Sequence, residues 1–156
     1  MTETDYTVTA IGWVRSPRAE AIDDDWGGIE STIAIDGERY APDVLAGLDD
    51  FSHIEVVFLF DQVAEDRINL GARHPRNRED WPLVGIFAQR AKARPNRLGI
   101  TTCELVEVDG LDVHVRGLDA IDGTPVLDVK PHVREFGPRG EVRQPAWISE
   151  LMTDYW

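Results

Sequence analysis

Four cationic side chains occur in one short segment, between residues 85 and 102. They are Arg90, Lys92, Arg94 and Arg97. Pro95 and Asn96 interrupt this series with a rigid corner, because proline fixes φ and asparagine tolerates unusual backbone geometry. Guanidinium and ammonium groups bind carboxylates and phosphates through charge-assisted hydrogen bonds. The segment therefore predicts a site for an anionic ligand.

The charge of the chain is segregated along the sequence. Residues 73–97 hold seven of the 16 Lys and Arg residues against only Glu79 and Asp80, a formal charge of about +5 in a chain of net charge −13. The acidity of the remainder is also typical of salt-adapted or high-GC organisms, since only two of the basic residues are lysine. A polyanion such as RNA would meet only the basic segment, and one small carboxylate or phosphate would suit it equally.

The elements that must position these residues are mostly strands. β-Branched and apolar runs predict strands over residues 6–14, 31–36, 54–60, 83–88, 98–108, 111–116 and 125–130. The run 54–60 is almost continuously apolar, which predicts a strand covered on both faces and ending at Asp61-Gln62. Short helices are predicted over 41–48 and 145–156.

Turn residues between these runs favour an antiparallel arrangement. Asp109-Gly110 and Asp122-Gly123 predict hairpins between β-rich segments. Many short strands, few helices and tight turns indicate a mainly β fold, an antiparallel barrel or sandwich. The length of 156 residues suits one domain over residues 1–156.

Several other chemistries have little support in the sequence. The four histidines are far apart and have no cysteine pair, so no metal site is predicted. No Gly-rich loop of the P-loop or Rossmann type is present. The single cysteine, Cys103, lies in an apolar strand and is expected to be a buried, inert thiol. No N-terminal apolar run indicates secretion or a membrane anchor, so a cytoplasmic protein is expected.

Four blocks of the sequence resemble the TsaA-like (YaeB, TrmO) family in order and spacing, over about residues 8–132. The blocks are residues 11–17 (IGWVRSP), 48–53 (LDDFSH), 85–99 (GIFAQR and RPNRLG) and 118–131 (LDAIDGTPVLDVKP). The resemblance implies a small β-barrel methyltransferase without a Rossmann sheet, working as a homodimer with S-adenosylmethionine as its cofactor. Its best-known members methylate N6 of threonylcarbamoyladenosine at position 37 of tRNA.

The resemblance also assigns candidate site residues. For the cofactor they are Asp61, Gln62, Arg90, Ile100, Ile121, Asp122, Gly123 and Thr124. Arg90 suits the carboxylate of the cofactor, and the Asp122-Gly123 turn suits its polar groups. For catalysis, Asp61 or Asp122 is expected to accept the proton of the acceptor nitrogen, with Arg94 or Asn96 stabilising charge on the adjacent carbonyl.

The chain departs from the family pattern at Asp25-Trp26-Gly27, where tRNA-modifying members usually carry Pro-Arg-Gln. A short form without the C-terminal domain of longer members is expected. An acidic, aromatic edge would favour a cationic or heterocyclic small molecule over which Trp26 stacks. Asp25, Trp26 and Arg97 are accordingly candidate substrate residues. Three functions remain open: a tRNA methyltransferase, a small-molecule methyltransferase and a non-catalytic S-adenosylmethionine-binding protein.

Overall fold

Strands with alternating exposure form the framework of the structure, a computed structural model that describes residues 3–156. The strands in this range are β1 (Gly12–Arg15), β2 (Glu30–Ile35), β3 (His53–Leu59), β4 (Ala72–Arg73), β5 (Val84–Gly85), β6 (Leu98–Asp109), β7 (Asp112–Arg116) and β8 (Pro125–Pro131). One α-helix, α1, spans Ala146–Leu151. Single 3-10 turns cover Pro42–Leu45, Leu48–Asp50, Glu65–Arg67, Pro75–Asn77, Ile86–Ala88, Pro95–Arg97 and Arg134–Phe136.

Six of the strands close into an antiparallel barrel in the order β1-β2-β7-β6-β3-β8, and β4 and β5 pair separately. Closure satisfies the backbone groups of both sheet edges, which an open six-stranded sheet would leave unpaired. The prediction of a mainly β, antiparallel barrel with few short helices is confirmed. The extent of a single domain over residues 1–156 stays a prediction.

The interior of the barrel is filled by branched aliphatic side chains and one aromatic ring. Along β3 the interior positions Ile54, Val56 and Phe58 are buried, whereas the intervening residues are partly or fully exposed. The same alternation in β2 and β7 adds Ile33 and Val113 to the core. Burying each such side chain contributes about 1.5–3 kcal/mol, so the core stabilises the barrel that holds the loops.

Three connections leave and re-enter the barrel at one end, here called the upper rim: residues 16–29, 60–97 and 117–124. The strand register requires this arrangement. Glu30 at the start of β2 pairs with Arg116 at the end of β7, Leu59 at the end of β3 pairs with Leu98, and Trp13 pairs with Pro125. The candidate site residues therefore all lie on segments of the upper rim or at the strand ends beside it.

Several predicted elements differ from those observed. The strand predicted over 83–88 consists only of β5, because residues Ile86–Ala88 form a 3-10 turn. The strand predicted over 6–14 begins at Gly12, and the helix predicted over 41–48 is a pair of 3-10 turns. The prediction that β3 is covered on both faces was wrong, since only its interior face is buried.

The two Asp-Gly pairs have different structural roles. Asp109-Gly110 joins β6 to β7 as the predicted hairpin, with Asp109 paired to Asp112. Asp122-Gly123 was wrongly predicted to join paired strands, because β7 pairs with β2 and β6 whereas β8 pairs with β1 and β3. It forms a tight turn that returns the chain to β8, with Gly123 at φ 83°.

Replacing Gly99 by alanine is expected to destabilise the fold. A Cβ atom at this position would lie 2.5 Å from the ring of Phe58, which is almost completely buried and has no room to move. Overpacking of this kind costs about 1–3 kcal/mol. Urea unfolding should show this loss for Gly99→Ala and a change within about 0.5 kcal/mol for Gly71→Ala, which meets open space. Equal stability of the two variants would contradict the packing described here.

Candidate functional site

The basic segment is held by a strained turn at Pro95–Arg97. Asn96 and Arg97 adopt φ values of 61° and 52°, which lie in the left-handed region. This conformation costs about 1–2 kcal/mol for a residue with a side chain. Two hydrogen bonds offset that cost: the Arg97 guanidinium donates to the carbonyl of Val63 at 2.7 Å, and the amide of Phe60 donates to the carbonyl of Arg97 at 2.8 Å. The turn is thereby fixed to the segment that carries Asp61 and Gln62.

Backbone carbonyls hold the other two arginines of the segment. The Arg90 guanidinium donates to the carbonyl of Ile100 at 2.7 Å, and that of Arg94 donates to the carbonyl of Gln89 at 2.6 Å. The buried Gln89 amide in turn donates to two carbonyls on β4 and β5, those of Arg73 and Val84. A carbonyl orients a guanidinium without neutralising its charge, so these cations remain available to an anion.

Only part of the basic charge is paired with carboxylates. Within residues 3–156, Arg76 forms a salt bridge with Asp24 at 2.8 Å, and Arg78 forms one with Asp80. Hydrogen bonding to Asp24 raises the pKa of Arg76 above its ordinary value. The remaining five basic residues of the window form no salt bridge in the described part of the chain: Arg73, Arg90, Lys92, Arg94 and Arg97. Within the described residues, these five cations of the 73–97 window therefore have no carboxylate at salt-bridge distance to neutralise them.

Asp61 and Gln62 form an exposed turn directly after β3. The amide of Asp61 donates to the carbonyl of Leu59 at 2.9 Å, and the amide of Val63 donates to that of Phe60 at 3.1 Å. Among the described residues, neither the Asp61 carboxylate nor the Gln62 amide side chain forms a hydrogen bond. Both side chains are therefore free to meet a ligand.

The turn Ile121–Thr124 is fixed to the first strand. The amide of Gly123 donates to the carbonyl of Val14 at 2.7 Å. The Asp122 carboxylate accepts a hydrogen bond from the amide of Ser16 at 2.9 Å, so one of its oxygens has a structural role. The Thr124 hydroxyl donates to the carbonyl of Ile121 at 2.7 Å, and the Thr124 side chain is buried. This geometry leaves the second Asp122 oxygen and the exposed Gly123 backbone for a ligand.

The hydrogen bonds gather the predicted residues into three groups. Arg97 is tied to the turn of Asp61 and Gln62, Arg90 is tied to Ile100, and the Ile121–Thr124 turn is tied to β1. Between described residues, no hydrogen bond joins the last group directly to the first two. The predicted cofactor and catalytic roles of all these residues stay predictions.

A residue absent from the predicted set links the groups. Asp119, in the 117–124 connection, accepts hydrogen bonds from the hydroxyl of Thr101 on β6 and from the hydroxyl of Tyr155 near the C-terminal end. Thr101 is adjacent to Ile100, so Asp119 connects the two sides of the rim. Asp119 lies within a block that carries the family resemblance, but nothing in the sequence indicated Tyr155 as its partner.

The structure corrects the expectation that a substrate stacks on Trp26. The Trp26 side chain is only 4% exposed, and its indole Nε1 donates to the carbonyl of Ile22 at 3.0 Å. The Arg18 guanidinium lies 4.6 Å from the centre of the ring as a cation–π partner. Trp26 is thus a buried anchor of the 16–29 connection, whereas the neighbouring Asp25 is exposed at φ 63°. Proximity of Asp25 and Arg97 to a substrate stays a prediction.

Two features are absent from residues 3–156, a metal-binding cluster and a membrane-spanning helix. No group of three or more His, Cys, Asp and Glu side chains is placed to hold a metal ion within that range. Across the same residues, no helix combines the length and the hydropathy needed to cross a membrane.

The protein is a small, closed six-stranded barrel without a dinucleotide-binding (Rossmann) fold. Its polar and cationic segments lie together at one rim, an arrangement typical of a small barrel that binds a ligand there. The chain belongs to the family of the tRNA-methyltransferase O N-terminal domain, whose family model matches residues 16–137. The folded structures are also similar. A solved structure of TrmO from Pseudomonas aeruginosa superimposes with a TM-score of 0.72 at 27% identity, covering 90% of this chain and 62% of that one.

The chain is similar in sequence to relatives of different lengths. A probable S-adenosyl-L-methionine-binding protein of Methanothermobacter thermautotrophicus is 35% identical over 144 residues, which cover 90% of this chain and 99% of the relative. The tRNA (adenine(37)-N6)-methyltransferase of Mus musculus is 38% identical over 92 residues, or 59% of this chain. A putative S-adenosylmethionine-dependent methyltransferase of Pseudomonas aeruginosa is 42% identical over 91 residues, or 58% of this chain. The chain spans only 21% and 38% of the lengths of the last two relatives.

Cys103 is expected to be unreactive in the folded protein. It is buried on β6, and desolvation raises the pKa of its thiol to about 12. Because the thiolate is the reactive form, alkylation by iodoacetamide at pH 8 should be slower than in urea-unfolded protein by a factor of at least about 100. The same raised pKa predicts that folding stability declines above about pH 9, where the unfolded chain releases this proton first. Rapid alkylation of the folded protein would contradict the burial of Cys103.

Proposed function

We propose that this chain is an S-adenosylmethionine-dependent N-methyltransferase that acts on N6 of adenine 37 in tRNA, with its active site at the upper rim. The observation that carries the proposal is the group of five basic residues without a carboxylate partner, on the same rim as the residues assigned to the cofactor. Family membership and the names of the relatives in mouse and Pseudomonas aeruginosa support the same activity.

The residues at the rim suit the chemical groups of S-adenosylmethionine. Arg90 uses one N–H to bind the Ile100 carbonyl and retains other donors for a carboxylate. Asp61 and Gln62 offer free side-chain acceptors and donors for ribose hydroxyls. Leu98 and Ile100 are about half exposed and provide apolar surface beside them for a base. When bound, this cofactor supplies an electrophilic methyl group whose bonding electron pair leaves with the sulfonium sulfur.

The proposed work of the protein is mainly to hold the acceptor. The N6 nitrogen forms the new bond to carbon and loses its proton, for which the exposed Asp61 carboxylate is the proposed acceptor. Arg94 and Asn96 are proposed to stabilise charge on the acceptor side, Arg94 through the N–H groups that its bond to Gln89 leaves free. Holding the reacting groups in line accounts for most of the expected rate enhancement.

An exposed aromatic ring beside the cations favours a nucleic acid over a small anion. Phe87 is 79% exposed in the turn that precedes Gln89 and Arg90. Aromatic rings interleaved with cations form stacking platforms for unpaired bases, as in the anticodon loop of a tRNA. The net charge of −13 does not oppose this interaction locally, because the Debye length at physiological salt is about 8 Å.

We also propose a cytoplasmic homodimer. The β4–β5 insertion presents Leu70 and Leu83 to solvent, and these exposed apolar side chains are the proposed contact with a second copy. The whole chain is proposed to act as one domain. Sedimentation equilibrium with and without tRNA would measure the stoichiometry.

The direct test is calorimetric titration with S-adenosylmethionine, followed by methyl transfer to tRNA that carries threonylcarbamoyladenosine at position 37. We expect binding, transfer of one methyl group and no transfer to the same tRNA with guanosine 37. For three phosphate contacts, tRNA affinity should fall about 20-fold between about 50 and about 200 mM salt. Absence of cofactor binding would contradict the proposal. Cofactor binding with untouched tRNA would instead support a small-molecule acceptor.

Phe87→Ala is expected to weaken tRNA binding about tenfold, since loss of one base–aromatic contact costs about 1–3 kcal/mol. Phe136→Ala is the matched control, because Phe136 is 82% exposed but lies after β8, away from the upper rim. Filter binding of tRNA at fixed salt measures the difference, and S-adenosylmethionine affinity should be the same in both variants. Equal tRNA affinities of the two variants would exclude Phe87 as a stacking platform.

A further inference from the structure

The C-terminal segment, residues 146–156, lies outside the part of the chain matched by the family model, but it contacts the upper rim. The Trp81 indole in the 60–97 connection donates to Glu150 on α1 at 2.8 Å. In the 16–29 connection, the amides of Asp25 and Trp26 donate to the carbonyls of Asp154 and Tyr155, both at 2.8 Å. The segment is therefore fixed to two of the three rim connections.

Tyr155 fixes the third connection. Its hydroxyl donates to one oxygen of the Asp119 carboxylate, and the hydroxyl of buried Thr101 donates to the other oxygen. Burial and then Asp119 raise the pKa of Tyr155, whereas the guanidinium groups of Arg90 and Arg76 act in the opposite direction. The phenol therefore stays protonated as a donor, and it lies within electrostatic reach of Arg90.

The fit of the segment against the rim is close. A Cβ atom on Gly27 would lie 2.7 Å from the carbonyl carbon of Trp156, so only glycine allows this approach. The Tyr155 and Trp156 rings pack edge to face with centres 4.8 Å apart. Backbone pairing, ring packing and the Asp119 network thus place the Tyr155 hydroxyl at one defined position.

We propose that Tyr155 is a positioning residue of the methyltransferase site, acting through Asp119 and Thr101. Its hydroxyl holds the 117–124 connection against β6, next to the Ile100 carbonyl that orients Arg90. The inference rests on the proposed function for the identity of the ligand, S-adenosylmethionine.

The test is Tyr155→Phe, which retains the ring and its packing but removes the hydroxyl. Without ligand, we expect hydrogen exchange of the 117–124 amides to accelerate about fivefold to tenfold, the effect of one lost hydrogen bond. The Kd for S-adenosylmethionine should rise about fivefold to tenfold, with tRNA affinity unchanged and a melting temperature lower by at most about 4 °C. Tyr6→Phe is the control, because Tyr6 is 87% exposed, and it should change none of these quantities.

Thr101→Val provides an independent variant of the same network, since valine matches threonine in shape and lacks the hydroxyl. The two variants should have similar effects, and the double variant should lose less affinity than the sum of both, because they act on one carboxylate. Unchanged exchange and affinity in Tyr155→Phe, or additive effects of the two changes, would overturn the inference. Failure of the unaltered protein to bind S-adenosylmethionine would contradict the proposed function instead, and the exchange rates would still decide the role of Tyr155.

Discussion

Closure of the six-stranded barrel is the constraint on which the rest of the structure depends. Because each neighbouring pair of strands is antiparallel and in the register described, residues 16–29, 60–97 and 117–124 must all meet at one rim. No parallel sheet or Gly-rich phosphate loop is needed to assemble the site. The branched residues that fill the barrel therefore determine where Asp61, Arg90 and Asp122 lie, although they are themselves buried in the barrel interior.

Whether an arginine at this rim keeps an unneutralised charge depends on whether its guanidinium donates to a carboxylate or to a backbone carbonyl. An acidic protein has many carboxylates with which to neutralise arginine, and Arg76 and Arg78 are neutralised in that way. Arg90, Arg94 and Arg97 instead donate to backbone carbonyls, which fix the guanidinium groups and leave their charge. In a chain of net charge −13, these three guanidinium groups thus keep a charge that an anionic ligand could meet.

The strands and the hairpin that depend on local sequence patterns were predictable from the sequence. Alternation placed β2, β6, β7 and β8 within two residues of their ends, and Asp109-Gly110 joined β6 to β7 as expected. Residues 83–88 were misassigned because an apolar run satisfies a strand pattern even where buried Gln89 holds the chain in a turn. The strand order made Asp122-Gly123 a return turn, which no local signal could indicate.

The candidate site could be predicted only in part, because contacts between residues far apart in the sequence leave no local pattern. The candidate residues came from blocks that resemble a family, and the barrel brings their segments to one rim. Trp26 is held by a cation–π contact with Arg18 and a hydrogen bond to the backbone carbonyl of Ile22, and its acidic neighbours in the sequence gave no sign of this burial. The Tyr155–Asp119 pair spans 36 residues and has no sequence pattern at all.

The central claim is that the 60–97 and 117–124 connections, with the start of β6, form one cofactor site. The most direct measurement is amide hydrogen exchange of the intact protein with and without saturating S-adenosylmethionine. The account predicts added protection in residues 60–62, 88–100 and 117–124 together, with no change at the opposite rim in residues 36–52. Protection confined to the opposite rim, or to only one of these two connections, would contradict it.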